Sequence, residues 1–365
     1  MKRAIFGAGA NGRLFLQGME LSGVTVDAFI DQTSMLSEVD GVPVLKPDVI
    51  DEREEWELFC AVFPQSLVKP SNRELQSSVA QLHQLGFSQV IGFSESLHRF
   101  PEIIQGYFKR HHLWMHSDPE VMVSREAIDR LRPLLCDQQS VQLLDQWVAW
   151  RSTQSMSHYI EPDGQCEYFP QDIPQLFPQG PLHFIDCGAY TGDTVEDLYQ
   201  LWEGEIGAVT CFEPDLDNLQ QLHATLEKLQ QSTEKGVCHI YPCGVGLQTE
   251  VLSFSGGQGS SSTMVMSQAA EEGMVQVPVV SLDQAVGLAR PNYIKMDVEG
   301  AELKALQGAR ELIASQAPSL AICLYHKPED LWEIPLYLHQ LQPNYKMYLR
   351  THDHLGLSTV LYCHL

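Results

Sequence analysis

The chain has 365 residues, 44% hydrophobic and 19% charged, an ordinary globular composition with room for two domains and sizeable cores. Its formal net charge of -24 repels phosphate backbones and anionic lipid, so neither nucleic acid nor a membrane is expected as a partner, and the longest basic run is Lys109-Arg110-His111-His112. No run of about eighteen apolar residues occurs, and Gly7, Gly9, Asn11 and Arg13 interrupt any leader-like segment, so a cytoplasmic location is expected.

Ala4-Ile5-Phe6 predicts a short strand, followed by the loop Gly7-Ala8-Gly9-Ala10-Asn11-Gly12 and a helix from about Arg13 to Leu21. A second strand, Val26 to Ile30, ends at Asp31. This is a GxGxxG pattern between a strand and a helix, with an acid about twenty residues on. Gly7, Gly9, Gly12 and Asp31 are therefore candidates for binding NAD or another nucleotide. Only two more strands are expected, Leu58 to Phe63 and Gln89 to Phe93, with a helix Arg73 to Leu85 between them. Residues 1–100 thus make about half a doubly wound domain. Two readings stand: a nucleotide-binding domain, or a relic that packs or dimerises, so a homo-oligomer is an open expectation.

Residues 101–180 change character. Ile103 to Phe108, Ser124 to Cys136 and Ser140 to Arg151 have helical patterns, interrupted by Pro119, Pro133 and Pro162. They are expected as a connector packed on the following domain, or as a cap over its site.

From residue 181 onward strands and helices alternate. Leu182, Phe184 and Ile185 begin a buried strand that ends at Asp186. A loop containing Gly188 and Gly192 follows, then a helix from Thr194 to Leu201. Such a loop brings backbone N–H groups and a helix start up to a ligand. The candidate ligand-binding residues are Asp186, Cys187, Gly188, Ala189, Tyr190, Thr191, Gly192 and Asp193. The spacing is neither a Walker A loop nor GxGxxG, and the acid before the loop favours a cationic or donor-rich ligand over a phosphate. The next strand, Ala208 to Phe212, ends at Glu213-Pro214-Asp215, where Glu213 could accept from both hydroxyls of a ribose and Pro214 fixes the turn. An acidic helix start is the plainer alternative. In this order and spacing the two elements read together as an S-adenosylmethionine site. Asn218 to Gln230 is a core-facing helix, and Val237 to Tyr241 a third strand. Gly244 and Val245, within Cys243-Gly244-Val245-Gly246, either line an adenine or form a simple glycine turn. Val251 to Phe254 and Val275 to Val280 are expected to pair as a hairpin. The polar run 256–263 between them is a loop or a closure over substrate.

Tyr293 to Met296 is a fourth strand, ending at Asp297-Val298-Glu299-Gly300 before a helix Ala301 to Ile313. Asp297 and Glu299 meet the acceptor at the strand ends, or the acids of this helix start, Glu299 and Glu302, cap the helix. Leu320 to Leu324 ends at Tyr325-His326-Lys327, on the same rim. Tyr345 to Arg350 and Thr359 to Cys363 close the chain as a hairpin, with His352 and His354 expected to be solvated in its turn. The nine cysteines include no CxxC pair, and several sit in apolar strands, so reduced thiols are expected.

These residues resemble the FkbM family of S-adenosylmethionine-dependent methyltransferases. The resemblance is carried by Phe184 to Asp193, Phe212-Glu213-Pro214, Val277 to Asp283 and above all Ile294-Lys295-Met296-Asp297-Val298-Glu299-Gly300-Ala301-Glu302. Tyr168-Phe169-Pro170, Tyr325-His326-Lys327-Pro328 and Leu349-Arg350-Thr351-His352 extend it over about residues 120–365. It implies an α/β fold: a doubly wound class I sheet of seven strands with a C-terminal antiparallel hairpin over 181–365, preceded by a small Rossmann-like domain and a helical connector. It also implies O-methylation of a hydroxyl on a sugar, glycan or natural product, with His326 the first candidate base and Asp297 the second. Tyr168, Phe169, Glu299 and Lys327 would then face the acceptor. Asp297, Glu299 and His326 have donors that suit Mg²⁺ but no tight spacing, so no metal is expected. Two rivals remain: a nicotinamide-dependent oxidoreductase using the first glycine loop, and a non-catalytic protein that binds S-adenosylmethionine or a nucleotide.

Overall fold

Each of the two strand–glycine–helix stretches lies in its own parallel sheet. The computed structural model describes residues 1–62, 78–232, 236–254, 275–286 and 289–365. The strand end expected at Phe63, the helix start at Arg73 and the polar run 256–263 lie outside them.

The chain groups into two compact units. Residues 1–123, 145–164 and 353–356 form the first, and residues 124–144, 165–352 and 357–365 the second. The stretch 101–180, expected as one connector, is divided between them, and packing explains how. In the first unit Trp114, Trp147 and Trp150 are fully buried, with ring centroids 4.7 to 5.7 Å apart, which fixes residues 145–164 there. In the second unit Cys166, Tyr168, Phe169, Ile173 and Leu176 join the core around Phe184 and Tyr293. Arg350 is buried there, with Asp137 and Asp172 each 2.7 Å from its guanidinium. An unpaired buried charge would be costly, so these two acids tie residues 124–144 and 165–180 to the second unit.

The first unit holds a six-stranded sheet of β1 (Lys2–Phe6), β2 (Ala28–Ile30), β3 (Glu38–Val39), β4 (Val42–Leu45), β5 (Trp56–Cys60) and β6 (Gln89–Ile91), in the order β3-β4-β2-β1-β5-β6. Every pair is parallel except β3–β4. β3 and β4 were not expected: they are short, and Pro43 within β4 reads as a loop signal. The first helix starts at Ala10 rather than Arg13, with Gly9 at its N-cap. Phe93 begins a helix, Phe93–Arg99, instead of ending a strand.

The second unit is built on β7 (Leu182–Cys187), β8 (Ile206–Phe212) and β9 (Val237–Tyr241). β10 (Gly244–Val245), β11 (Glu250–Phe254) and β12 (Val275–Val280) form a separate three-stranded sheet. β11 and β12 pair antiparallel, as the alternation predicts. β13 (Tyr293–Met296), β14 (Ser319–Cys323), β15 (Lys346–Thr351) and β16 (Thr359–His364) complete a seven-stranded sheet, in the order β15-β16-β14-β13-β7-β8-β9. β16 runs antiparallel to both neighbours; the other pairs are parallel. This is the expected class I methyltransferase sheet with its terminal hairpin.

Two expectations need correction. The single helix Ala301 to Ile313 is broken into Glu302–Gln307 and Arg310–Gln316. A Cβ on Gly308 would sit 2.0 Å from the Gly246 carbonyl oxygen, so the backbone packs too closely to carry a side chain. The Asp283 carboxylate then starts a new helix by accepting from Glu311 N and Leu312 N at 3.0 and 2.8 Å. His352 and His354 are buried, not solvated. Tyrosine hydroxyls recruit both: His352 Nε2 lies 2.7 Å from Tyr362 Oη, and His354 Nδ1 lies 3.0 Å from Tyr159 Oη. Cys60, Cys211, Cys323 and Cys363 are buried and in no disulfide bond.

Candidate active site

β14, β13, β7 and β8 are successive parallel neighbours, so their carboxyl ends form one rim. The chain leaves β7 toward β8 on one side and later returns to β13 on the other. Ligands bind open α/β sheets at such a reversal of strand order. Asp186, Glu213, Asp297 and His326 end or follow these four strands.

On the β7–β8 side the loop is held by its own backbone. Gly188 N and Ala189 N donate to Phe212 O at 3.0 Å, and Gly192 N donates to Ala189 O at 2.8 Å. Gly188 has φ +83°, and a Cβ there would be 1.9 Å from Asp297 O, so the position admits only glycine. Glu213 clasps the loop. Its Oε2 accepts from Tyr190 N at 2.9 Å, and its Oε1 from Asp215 N at 2.9 Å and Asn218 Nδ2 at 3.3 Å. Burial pushes its carboxyl above the ordinary range. Tyr190 is exposed, and Thr191 and Asp193 are half-buried, so these residues reach solvent. Cys187, Ala189 and Val245 are buried in the packing. Gly244 and Val245 pair with β12, and Gly246 N donates to Val280 O.

Asp186 departs from its expected role. It is fully buried, and Lys295 Nζ from the same register position on β13 lies 2.9 Å from its Oδ1. Lys295 Nζ also donates to Gly188 O at 2.7 Å. The carboxylate is thus spent on an internal cation. Burial raises its pKa to about 6 although the lysine pulls it down.

On the β13–β14 side Asp297 accepts from Tyr168 Oη at 3.1 Å and from Tyr325 Oη at 3.2 Å. His326 Nε2 lies 3.5 Å from Asp297 Oδ1 and 3.6 Å from Glu299 Oε2, and His326 Nδ1 lies 3.0 Å from Glu302 Oε1. Glu302 is fully buried and also accepts from Val298 N at 2.9 Å and Gly300 N at 3.3 Å. Burial alone would depress the imidazole pKa. Glu302 first, then Asp297 and Glu299, override it and raise the value to about 10. Carboxylates thus face both of its ring nitrogens, Glu302 at Nδ1 and Asp297 with Glu299 at Nε2. Glu299 has φ +53°, and burial raises its carboxyl to about 7. Asp330, which accepts from Lys327 N at 2.9 Å, is also raised to about 7 by burial and by Glu302. Lys327 is exposed and donates through Nζ to Gly300 O. Phe169 does not face an acceptor. It is 2% exposed and packs on Phe177, Phe184 and Tyr293.

Sequence reasoning assigned no role to Lys295, Tyr325 or Asp330, and only helix capping to Glu302. A lysine inside the apolar strand Tyr293–Met296 was the available signal, because a charge there requires a buried partner. Among the described residues Asp297, Glu302 and His326 each offer a ligand atom, all within 4.8 Å of one another.

In the first unit Asp31 repeats the Glu213 arrangement. Its carboxylate accepts from Ala8 N at 2.9 Å, Thr33 N at 2.8 Å and Ser34 N at 2.7 Å. Gly7 and Gly12 are sterically required, since a Cβ on Gly12 would meet Gly7 O at 2.0 Å, whereas a Cβ on Gly9 would meet nothing within 4 Å.

Residues 186–350 match the family model described as the methyltransferase FkbM domain. The whole chain superposes on the crystal structure of methyltransferase FkbM from Methylobacillus flagellatus KT with a TM-score of 0.63 and 23% identity, covering 100% of this chain and 90% of that one, a likeness of fold. Fibrillarin from Aeropyrum pernix, solved with bound S-adenosyl-L-methionine, aligns at TM-score 0.30 and 7% identity over 50% of this chain and 66% of that one. Precorrin-6y C5,15-methyltransferase from Geobacter metallireducens aligns at TM-score 0.30 and 14% identity over 52% and 81%. Those two scores are too low to carry an argument. No curated protein matches the sequence. Family match and strand order agree: residues 186–350 match the methyltransferase FkbM domain, and the chain shares the fold of an FkbM methyltransferase.

Proposed function

We propose that the second unit transfers a methyl group from S-adenosylmethionine to a hydroxyl oxygen of a neutral, sugar-like acceptor. The observation that carries this reading is the glycine loop clasped by Glu213 at one strand end, with the Asp297–Glu299–His326 cluster two strands away on the same rim. Glu213 would exchange its bond to Tyr190 N for the ribose hydroxyls. The loop Gly188–Asp193 would follow the methionine portion, and Gly244–Val245 would border the adenine.

The reaction forms an oxygen–carbon bond as the sulfonium–carbon bond breaks, leaving S-adenosylhomocysteine. Holding oxygen, carbon and sulfur on one axis contributes about 7–11 kcal/mol in well-oriented cases. The acceptor proton must leave, and a placed base contributes about 10²–10⁴-fold. Asp297 is the base in this reading. Tyr168 and Tyr325 orient its carboxylate, and His326 lies beside it, 3.5 Å away. Glu299 and Lys327 would contact the acceptor in this reading. A net charge of -24 and a rim crowded with carboxylates favour an uncharged acceptor over an anionic one.

With methyl-labelled S-adenosylmethionine and a panel of sugars and glycosides, the Asp297→Asn variant should lose about 10²–10⁴-fold in kcat while binding the cofactor within a few-fold of wild type. Unchanged turnover in that variant would sink the role given to Asp297. Wild-type protein that binds the cofactor yet methylates oxygen in no acceptor, while methylating a nitrogen or carbon, would sink the O-methyl reading.

A further inference from the structure

The cluster at the ends of β13 and β14 holds more negative charge than its own side chains offset. Asp297, Glu299, Glu302 and Asp330 surround one imidazole, while the nearby buried cation, Lys295, is committed to Asp186. Three buried atoms of the cluster make no directed hydrogen bond: Oε2 of Glu302, a residue with 0% exposure, and Nδ1 and Nε2 of His326, a residue with 7%. Buried polar atoms are rarely left so in native proteins. Carboxylate oxygens and one imidazole nitrogen within 4.8 Å of one another make a donor set suited to a divalent cation of the Mg²⁺ or Mn²⁺ type.

We propose that Asp297, Glu302 and His326 bind one divalent metal ion, with Glu299 3.6 Å from the same imidazole as a further donor. Binding of the ion does not depend on the methyl-transfer reading. Its use does: at this rim a dication would hold the acceptor oxygen and ease loss of its proton to Asp297.

The test uses the full chain, stripped with chelator, desalted and titrated with Mn²⁺ by calorimetry and electron paramagnetic resonance. One tight equivalent is expected, with a pulsed-resonance nitrogen coupling from the imidazole. His326→Gln and Asp297→Asn should each weaken it at least tenfold. The coupling is read on wild-type protein, so the test survives if a variant misfolds. Several weak equivalents without nitrogen coupling, as any surface of this acidity would give, would overturn the proposal. So would a tight site indifferent to both substitutions. Titrating the same sample with S-adenosylmethionine separates failure here from failure of the methyltransferase reading.

Discussion

Single residues decide how the rim can be probed. Gly188 sits in the cofactor loop, yet its substitution would test the fold first: its φ of +83° and the 1.9 Å approach to Asp297 O leave no room for a Cβ. Gly188→Ala should cost at least about 2 kcal/mol in denaturant unfolding. Gly9→Ala in the first loop, with open space around it, should stay within about 0.5 kcal/mol. His326 supplies a pH signature. Its pKa is raised from 6.5 to about 10, so the stabilisation it provides is fully present below about pH 6.5 and is lost as pH rises through 10. Glu299 and Asp330, raised to about 7, act in the same direction at lower pH: the folded state holds their protons more tightly, and that gain disappears as pH rises through 7. Tm should fall from pH 6 to pH 10, and His326→Gln should flatten the upper part of that fall. At this scale the acids Glu213 and Asp297 were legible, because each ends an apolar run that must stop at the sheet edge. Lys295 and Glu302 were not. Their work is to neutralise partners far away in sequence, and only the register between β7 and β13 or the turn at Glu299–Gly300 brings those partners close.

Elements follow the same logic. Runs that read as strands, such as Val237–Tyr241 and Tyr293–Met296, form with the expected ends: Tyr293–Met296 is buried among parallel neighbours, whereas Val237–Tyr241, at the sheet edge, alternates between exposed and half-buried positions. β3 and β4 are too short and too proline-marked to show a period. The helix after Asp297 looked continuous because Ala301 to Ile313 keeps a helical pattern; its break comes from contact with Gly246 and from capping by Asp283. Asp283→Ala should therefore cost about 1 kcal/mol, within the usual range for a lost N-cap. Asp283→Asn, which keeps an oxygen for only one of the two N–H groups and turns its NH2 toward the other, should recover at most part of that in chemical denaturation.

For the whole molecule, the linear domain boundaries expected from sequence give way to units assembled from separated segments. A fragment cut at residue 181, the sequence boundary, would lose Phe169, Ile173 and Leu176 from the core and both acids that pair with Arg350. Removing the partners of a buried charge alone costs about 3–5 kcal/mol. The 181–365 fragment is expected to show no cooperative unfolding transition by circular dichroism, while the intact chain does.

The central claim is that the Gly188–Asp193 loop and Glu213 hold S-adenosylmethionine, and isothermal titration tests it most directly. Wild-type chain should bind S-adenosylmethionine and S-adenosylhomocysteine one to one. Folded Glu213→Ala protein should bind at least tenfold more weakly, and Asp31→Ala, which alters the matching clasp in the first unit, should leave binding unchanged. No binding to folded wild-type protein, or binding that Asp31→Ala abolishes and Glu213→Ala spares, would contradict the claim.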